Sequence, residues 1–231
     1  MERPYLGKFF GIVLIVVFVG WTAIRALGAR PAETPHASLF PKPTIDAPLA
    51  NSPKSQTAVF AGGCFWGVQA VFEHVKSVKS ATSGYSGGRV KSPSYEVVSM
   101  GVTGHAESVQ VAYDPSQITY GQLLMIYFSV AHDPTQLNRQ GPDTGSQYRS
   151  AIFYASDEQK RIAEDYIAQL NSAAVYSHPI VTKVVPFEAF YPAEDYHQDY
   201  VKKNPDNPYI VFNDLPKLKR LQKEFPALYR D

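Results

Sequence analysis

The stretch AGGCFWG, residues 61–67, holds Cys64, the only cysteine in a chain of 231 residues. One thiol cannot close a disulfide within its own chain, so Cys64 either packs as a small apolar residue or does chemistry. Its neighbours favour chemistry. The segment TAVFAGG before it reads as a short apolar strand starting at Thr57 and ending in glycines. The segment FWGVQAVFEHV after it reads as a helix with Val68, Val71, Phe72 and Val75 on one face. Cys64 therefore falls at a strand-to-helix junction, where unpaired backbone N–H groups and a partial positive charge are expected to lower the thiol pKa. Gly62 and Gly63 allow a tight turn that leaves the sulfur approachable. Phe65 and Trp66 have the character of pocket walls that enclose a methyl or thioether group and exclude water.

The elements that must position this junction alternate along the chain. AESVQVAYDP sets Val109, Val111 and Tyr113 against small or polar residues, as a half-buried strand does. Thr119 with Gln122 forms a capping box opening a helix that carries Leu123, Ile126, Tyr127 and Val130 on one face. RSAIFYAS reads as a strand. A second box, Ser156 with Gln159, starts a helix with Ala163, Ile167 and Leu170 on its apolar side. IVTKVVPF supplies a further strand, and Leu215 to Phe225 a short final helix whose lysines and Arg220 read as a solvated face. Gly84, Gly87 and Gly88 in SGYSGG read as a loop shaping a pocket rim. The order β, α, β, β, α, β points to an α+β sandwich core of the split βαβ, ferredoxin-like kind with long loops.

The N-terminal part reads differently. Phe9 to Ile24 is an uncharged apolar run of 16 residues between Lys8 and Arg25, about 24 Å long as a helix. Residues 1–25 fit both an uncleaved signal anchor and a cleaved signal peptide, although Arg25 makes the small residues Ala26, Gly28 and Ala29 a poor cleavage site. Basic residues before the run favour export of the chain beyond it, which puts the domain on the extracytoplasmic (periplasmic) side, membrane-anchored or secreted. Residues 26–56, with six prolines, read as an unpacked, semi-rigid linker. The folded domain is expected over 57–231. With 22 basic and 21 acidic residues the net charge is +1, which offers no field for gathering phosphates and argues against nucleic acid as a partner. The histidines do not fall at zinc-ligand spacing with a second cysteine, so no metal is expected.

Several motifs in one order, GGCFWG, GYSGG, PSYEVV, TGHAESVQVAYDP, HDPTQLNRQGPDTGSQYRSAI and AEDYHQDY, resemble those of peptide methionine sulfoxide reductase of the A type. The resemblance runs from about Thr57 to Pro208. It implies reduction of methionine-S-sulfoxide, in proteins and as the free amino acid, back to methionine, a repair of oxidative damage. It also implies roles residue by residue. Cys64 is the nucleophile, and Phe65 and Trp66 form the methyl pocket. Glu107 is the acid that donates to the sulfoxide oxygen, Tyr95 and Tyr148 hydrogen-bond that oxygen, and Asp143 supports the site. Such chemistry needs an acid still protonated near neutral pH, which a glutamate buried among aromatics supplies.

The chain departs from the resemblance in recycling. Many family members close a disulfide between the nucleophile and a second cysteine; here there is none, and Ser99 stands where some relatives have one. The Cys64 sulfenic acid must therefore meet an external thiol: a thioredoxin-like protein, a glutaredoxin with glutathione, or a small dithiol. No bound cofactor is expected. The expected partners are oxidised proteins, the thiol reductant and, if the N-terminal segment stays uncleaved, a membrane. Two other readings are a Cys–His hydrolase with His105 or His197 as base, and a membrane-tethered binding module with an inert Cys64.

Overall fold

The computed structural model describes residues 40–231; the apolar run and the first part of the proline-rich stretch lie outside the described residues. Among the described residues no helix is long and apolar enough to cross a membrane. The architecture is mixed α+β. Strands β1 (Gln56–Gly62), β2 (Val78–Ser86), β3 (Ala106–Tyr113), β6 (Ser150–Tyr154), β7 (Lys183–Pro186) and β8 (Phe190–Pro192) form one sheet in the order β7-β6-β1-β3-β2-β8. All neighbours are antiparallel except β6 and β7. A separate two-stranded sheet pairs β4 (Arg139–Gln140) with β5 (Asp143–Thr144). The helices are α1 (Phe65–Glu73), α2 (Tyr95–Ser99), α3 (Tyr120–Ile126), α4 (Asp157–Ser172), α5 (Tyr200–Lys203) and α6 (Leu215–Glu224).

Period-two alternation in the strands sorts the core into two faces. Ala58, Phe60, Val109, Val111 and Ile152 face a large cluster that includes Val68, Val71 and Phe72 of α1, Leu123 and Leu124 of α3, and Ile162 and Leu170 of α4. Val59, Ala61, Ala106, Ala151 and Phe153 form a smaller cluster on the other face. Phe60 joins the layers. Its ring lies 5.3 Å from Phe72 and 5.0 Å from Tyr127, both stacked, and its full burial contributes about 2–3 kcal/mol.

The capping box at Thr119 is complete: Gln122 N–H donates to Thr119 Oγ1, and Thr119 N–H donates to Gln122 Oε1. The helix then passes into a π-helical turn, Tyr127–Ala131, so the predicted face continues through Val130 with altered pitch. The second box is half made. Ser156 Oγ accepts from Gln159 N–H, whereas Gln159 Oε1 accepts from Ala155 N–H, one residue before the cap.

Two expectations are corrected. The stretch VKSATSGYS forms strand β2, with Gly84 inside it; small and polar residues hide a strand that pairs with β3 and β8 on both edges. The second correction concerns the linker, which over residues 40–55 lies on the domain. Phe40, Ile45 and Ala47 pack against the main core. Tyr166 OH donates to Pro41 C=O at 2.8 Å and Ala50 N–H to Pro115 C=O at 2.8 Å. Asp46 acts as a second cap of α3, accepting from Thr119 Oγ1 and, at 2.8 Å, from Gly121 N–H. A carboxylate at a helix N-terminus satisfies orphan donors and complements the helix dipole. Replacing Asp46 by Ala should therefore cost about 1 kcal/mol and lower Tm by about 2–4 °C in thermal unfolding of the full chain. An unchanged Tm would return this segment to the status of a free tether.

Candidate active site

Strand β1 ends at Gly62, Gly63 turns with φ +90°, and Cys64 is the N-cap of α1. The positive φ suits glycine, and space demands it too: a Cβ on Gly63 would lie 2.4 Å from the Gln140 side chain. Gln140 is itself clamped, accepting from Asp133 N–H at 3.1 Å and donating to Asp133 C=O at 3.0 Å. The turn that presents the thiol is thus fixed by the loop between α3 and β4.

The second fixed point is Glu107. Period two places it on the same face of β3 as Val109 and Val111, and its side chain is 2 % exposed. Glu107 Oε2 accepts the Phe65 N–H at 3.0 Å, so the carboxyl joins the first turn of α1 next to Cys64. Burial pushes its pKa up to about 8; the Phe65 N–H opposes this and the charge of Asp143 adds to it. At neutral pH Glu107 carries its proton.

Cys64 corrects a sequence expectation. Its pKa is raised well above the ordinary thiol value by burial, then by the carboxylates of Glu107 and Asp214. The helix effect is present, since the Trp66 backbone N–H and the Lys217 ammonium both lower the pKa, but desolvation outweighs it. The resting site accordingly pairs a thiol with a carboxylic acid.

Aromatic groups enclose this pair. Phe65 is buried between Tyr85, with centroids 5.9 Å apart, and His197 at 5.0 Å. The Trp66 indole stacks flat on Tyr200 at 3.7 Å, meets Tyr209 edge-on at 5.9 Å and donates its Nε1–H to His197 Nδ1 at 3.1 Å. Tyr95 opens α2 4.4 Å from the His197 ring, and its N–H donates to Glu194 Oε1 at 2.9 Å. The other oxygen of Glu194 accepts from Tyr85 OH at 2.8 Å. Tyr148 closes the 3-10 turn Ser146–Tyr148. Burial, then the charge of Glu107, raises the pKa of Tyr95 and Tyr148, with Cys64 and Asp143 adding to both. Both phenols therefore keep their protons and can donate. Asp143 accepts a short hydrogen bond from Tyr209 OH.

All seven sequence-derived site residues converge. Tyr209, Tyr200, Glu194 and the pair Asp214–Lys217 were not found from the sequence. They come from the C-terminal segment, folded back onto α1; Glu194 and Tyr200 lie within the AEDYHQDY motif without having been singled out there, and Tyr209, Asp214 and Lys217 lie outside every motif read from the sequence. His197 lies tilted against Tyr95, in keeping with a residue that positions the site tyrosines, and it also accepts from the Trp66 indole; with Nδ1 engaged by Trp66 it is poorly placed as the base of a Cys–His hydrolase. Lys217 is not on a solvated face, because it pairs with buried Asp214 at 3.1 Å; Lys219, Arg220 and Lys223 are exposed as expected, Arg220 also donating to Ser129 C=O. Gly87 and Gly88 border a different cavity, of about 550 Å³, together with Arg149 and Lys183. Among the described residues no group of three or more His, Cys, Asp or Glu is placed to hold a metal ion.

Comparison with known proteins identifies the family. The family model described as peptide methionine sulfoxide reductase matches residues 56–228. The chain is 61 % identical over 180 residues to peptide methionine sulfoxide reductase MsrA 2 of Mesorhizobium japonicum, covering 78 % of this chain and 92 % of the relative. It is 50 % identical over 194 residues to the MsrA 2 protein of Synechocystis sp., covering 83 % and 91 %. Among solved structures it resembles reduced Mxr1 from Saccharomyces cerevisiae, with TM-score 0.62, 32 % identity and coverage of 71 % and 92 %. Methionine sulfoxide reductase A of Corynebacterium diphtheriae is similar at TM-score 0.60 and 36 % identity, with coverage of 74 % and 86 %. Matched by the family model over residues 56–228 and 61 % identical to a named relative over 180 residues, this chain belongs to the peptide methionine sulfoxide reductase family.

Proposed function

We propose that Cys64 is the nucleophile of a peptide-methionine (S)-S-oxide reductase and that Glu107 handles the proton. The observation that carries this assignment is the Phe65 N–H to Glu107 bond, which sets a neutral carboxylic acid beside the only thiol. Phe65 and Trp66 receive the substrate methyl group. Tyr95 and Tyr148 donate to the sulfoxide oxygen, and Asp143 supports the site through Tyr209. Glu107 gives its proton to that oxygen as Cys64 attacks sulfur, and regains a proton from the Cys64 thiol. Methionine leaves, and the oxygen ends on Cys64 as a sulfenic acid.

An external thiol then attacks the sulfenic acid, releasing water, and a second thiol resolves the mixed disulfide. This chain offers no second cysteine for the task. A thioredoxin-like protein, a glutaredoxin with glutathione and a small dithiol each supply the necessary two electrons. The core is read as a split βαβ sandwich: β1 and β2, joined through α1, are both antiparallel to β3, which lies between them. The apolar run Phe9–Ile24 supports export of the domain and retention by a signal anchor.

Four outcomes are expected. One turnover with methionine-S-sulfoxide and no reductant should add one oxygen to Cys64 for each methionine released, read by intact mass and amino-acid analysis; methionine without an oxidised Cys64 rules this cycle out. The rate of methionine formation should fall as pH rises through about 8, because the neutral acid is the working form of Glu107. Glu107→Gln should slow that step by about 10²–10⁴-fold and abolish the alkaline limb; a limb that persists in Glu107→Gln assigns it to another group. In cell fractionation the full chain should stay with membranes after carbonate washing, and its release into the soluble fraction would mean cleavage or no anchor.

A further inference from the structure

The first turn of α1 is pressed against two charged groups as well as carrying Cys64. A Cβ at Gly67 would lie 2.0 Å from Asp214 Oδ1 and 2.6 Å from Lys217 Nζ, so this position has no room for a side chain. Asp214 is 1 % exposed and ends the π-helical turn Ile210–Asp214, immediately before α6. Its Oδ1 accepts from Lys217 Nζ at 3.1 Å, and its buried Oδ2 has no hydrogen-bond partner among the described residues. Two costs meet here. Glycine in a helix is less favourable than alanine. A buried ion pair with one oxygen left unsatisfied adds little to stability and often reduces it. The close approach of α6 accounts for the glycine but not for a buried ion pair with one oxygen unsatisfied, and that pair sits on the turn that presents Cys64.

We propose that Asp214 and Lys217 are positioning residues that set the charge felt by the Cys64 sulfur: Lys217 favours the thiolate, Asp214 restrains it, and the pair holds the balance. The proposal rests on the reading of Cys64 as nucleophile and adds what governs its reactivity. The other titratable groups around the sulfur are Glu107 on β3, Tyr95 on α2, Tyr148 and Tyr209, with Asp143 acting on Asp214. Restraint suits a chain with one cysteine. A permanently ionised thiol is the form that oxidants attack, and without a partner cysteine the sulfenic acid cannot be trapped as an internal disulfide before it is oxidised further.

The lone cysteine makes the test direct. Alkylation of the full-length protein by iodoacetamide, followed by intact mass against pH, reports only Cys64. Asp214→Asn should leave Lys217 uncompensated and move the alkylation midpoint down by about one unit, about tenfold faster at pH 7. Lys217→Met should move it up by a similar amount. Lys217→Arg keeps the charge, and the double variant Asp214→Asn/Lys217→Met restores neutrality; both should stay within about threefold of the parent. Should Lys217→Met fail to fold, judged by circular dichroism, Asp214→Asn and the double variant decide. Single-variant shifts in the same direction, or no shift beyond threefold in Asp214→Asn, overturn the proposal. Single-turnover methionine formation by the parent is measured separately, so an error in assigning Cys64 as nucleophile is told apart from an error in assigning the pair.

Discussion

The hydrogen bond from the Phe65 N–H to Glu107 joins the first turn of α1 to the middle of the sheet, and the chemistry depends on it. It demands that β3 lie beside β1, that α1 begin immediately after β1, and that the carboxyl be buried deeply enough to stay neutral. Those demands conflict in part. The same burial that keeps a proton on Glu107 also keeps one on Cys64, so the site is assembled in a resting, fully protonated form. With the roles proposed for them, reaction then requires a substrate oxygen able to take the proton from Glu107 while the thiol yields its own.

Around that bond the enclosing rings are held from the C-terminal third. Tyr200 stacks on Trp66, His197 accepts a hydrogen bond from its indole N–H, and Tyr209 meets its edge while donating to Asp143. A network binds this segment to the sheet and to α1. Gln69 donates to Ala81 C=O and Gln198, Ser83 donates to Gln69, and Gln198 returns a bond to Ser83 C=O. The pocket walls are therefore rigid because a buried polar net with paired donors and acceptors backs them.

Much of this was legible in the sequence where the signal is local. Alternation exposed β1 and β3, capping residues marked α3 and α4, and the junction at Cys64 followed from glycines meeting an amphipathic stripe. The resemblance added Glu107, whose residue type alone would have suggested an exposed strand edge. What stayed hidden was non-local. Strand β2 is mostly serine, threonine, glycine and alanine, and owes its existence to neighbours on both edges. Lys217 read as part of a solvated face and Asp214 carried no signal, because nothing in the sequence announces that α6 docks on Gly67. The direction of the Cys64 shift was misjudged for the same reason: a helix N-terminus is visible in sequence, whereas the burial that outweighs it is a property of the assembled fold.

The fastening of residues 40–55 to the domain changes how far the catalyst can range. Sixteen residues of proline-rich chain, extended at about 3.1 Å each, would add roughly 50 Å to the span of a leash. With Asp46 locked onto α3 and Phe40 packed against the core, that length belongs to the body instead. Held by whatever precedes Phe40, the enzyme would patrol a shorter radius, and each damaged side chain within it would meet a higher local concentration of Cys64.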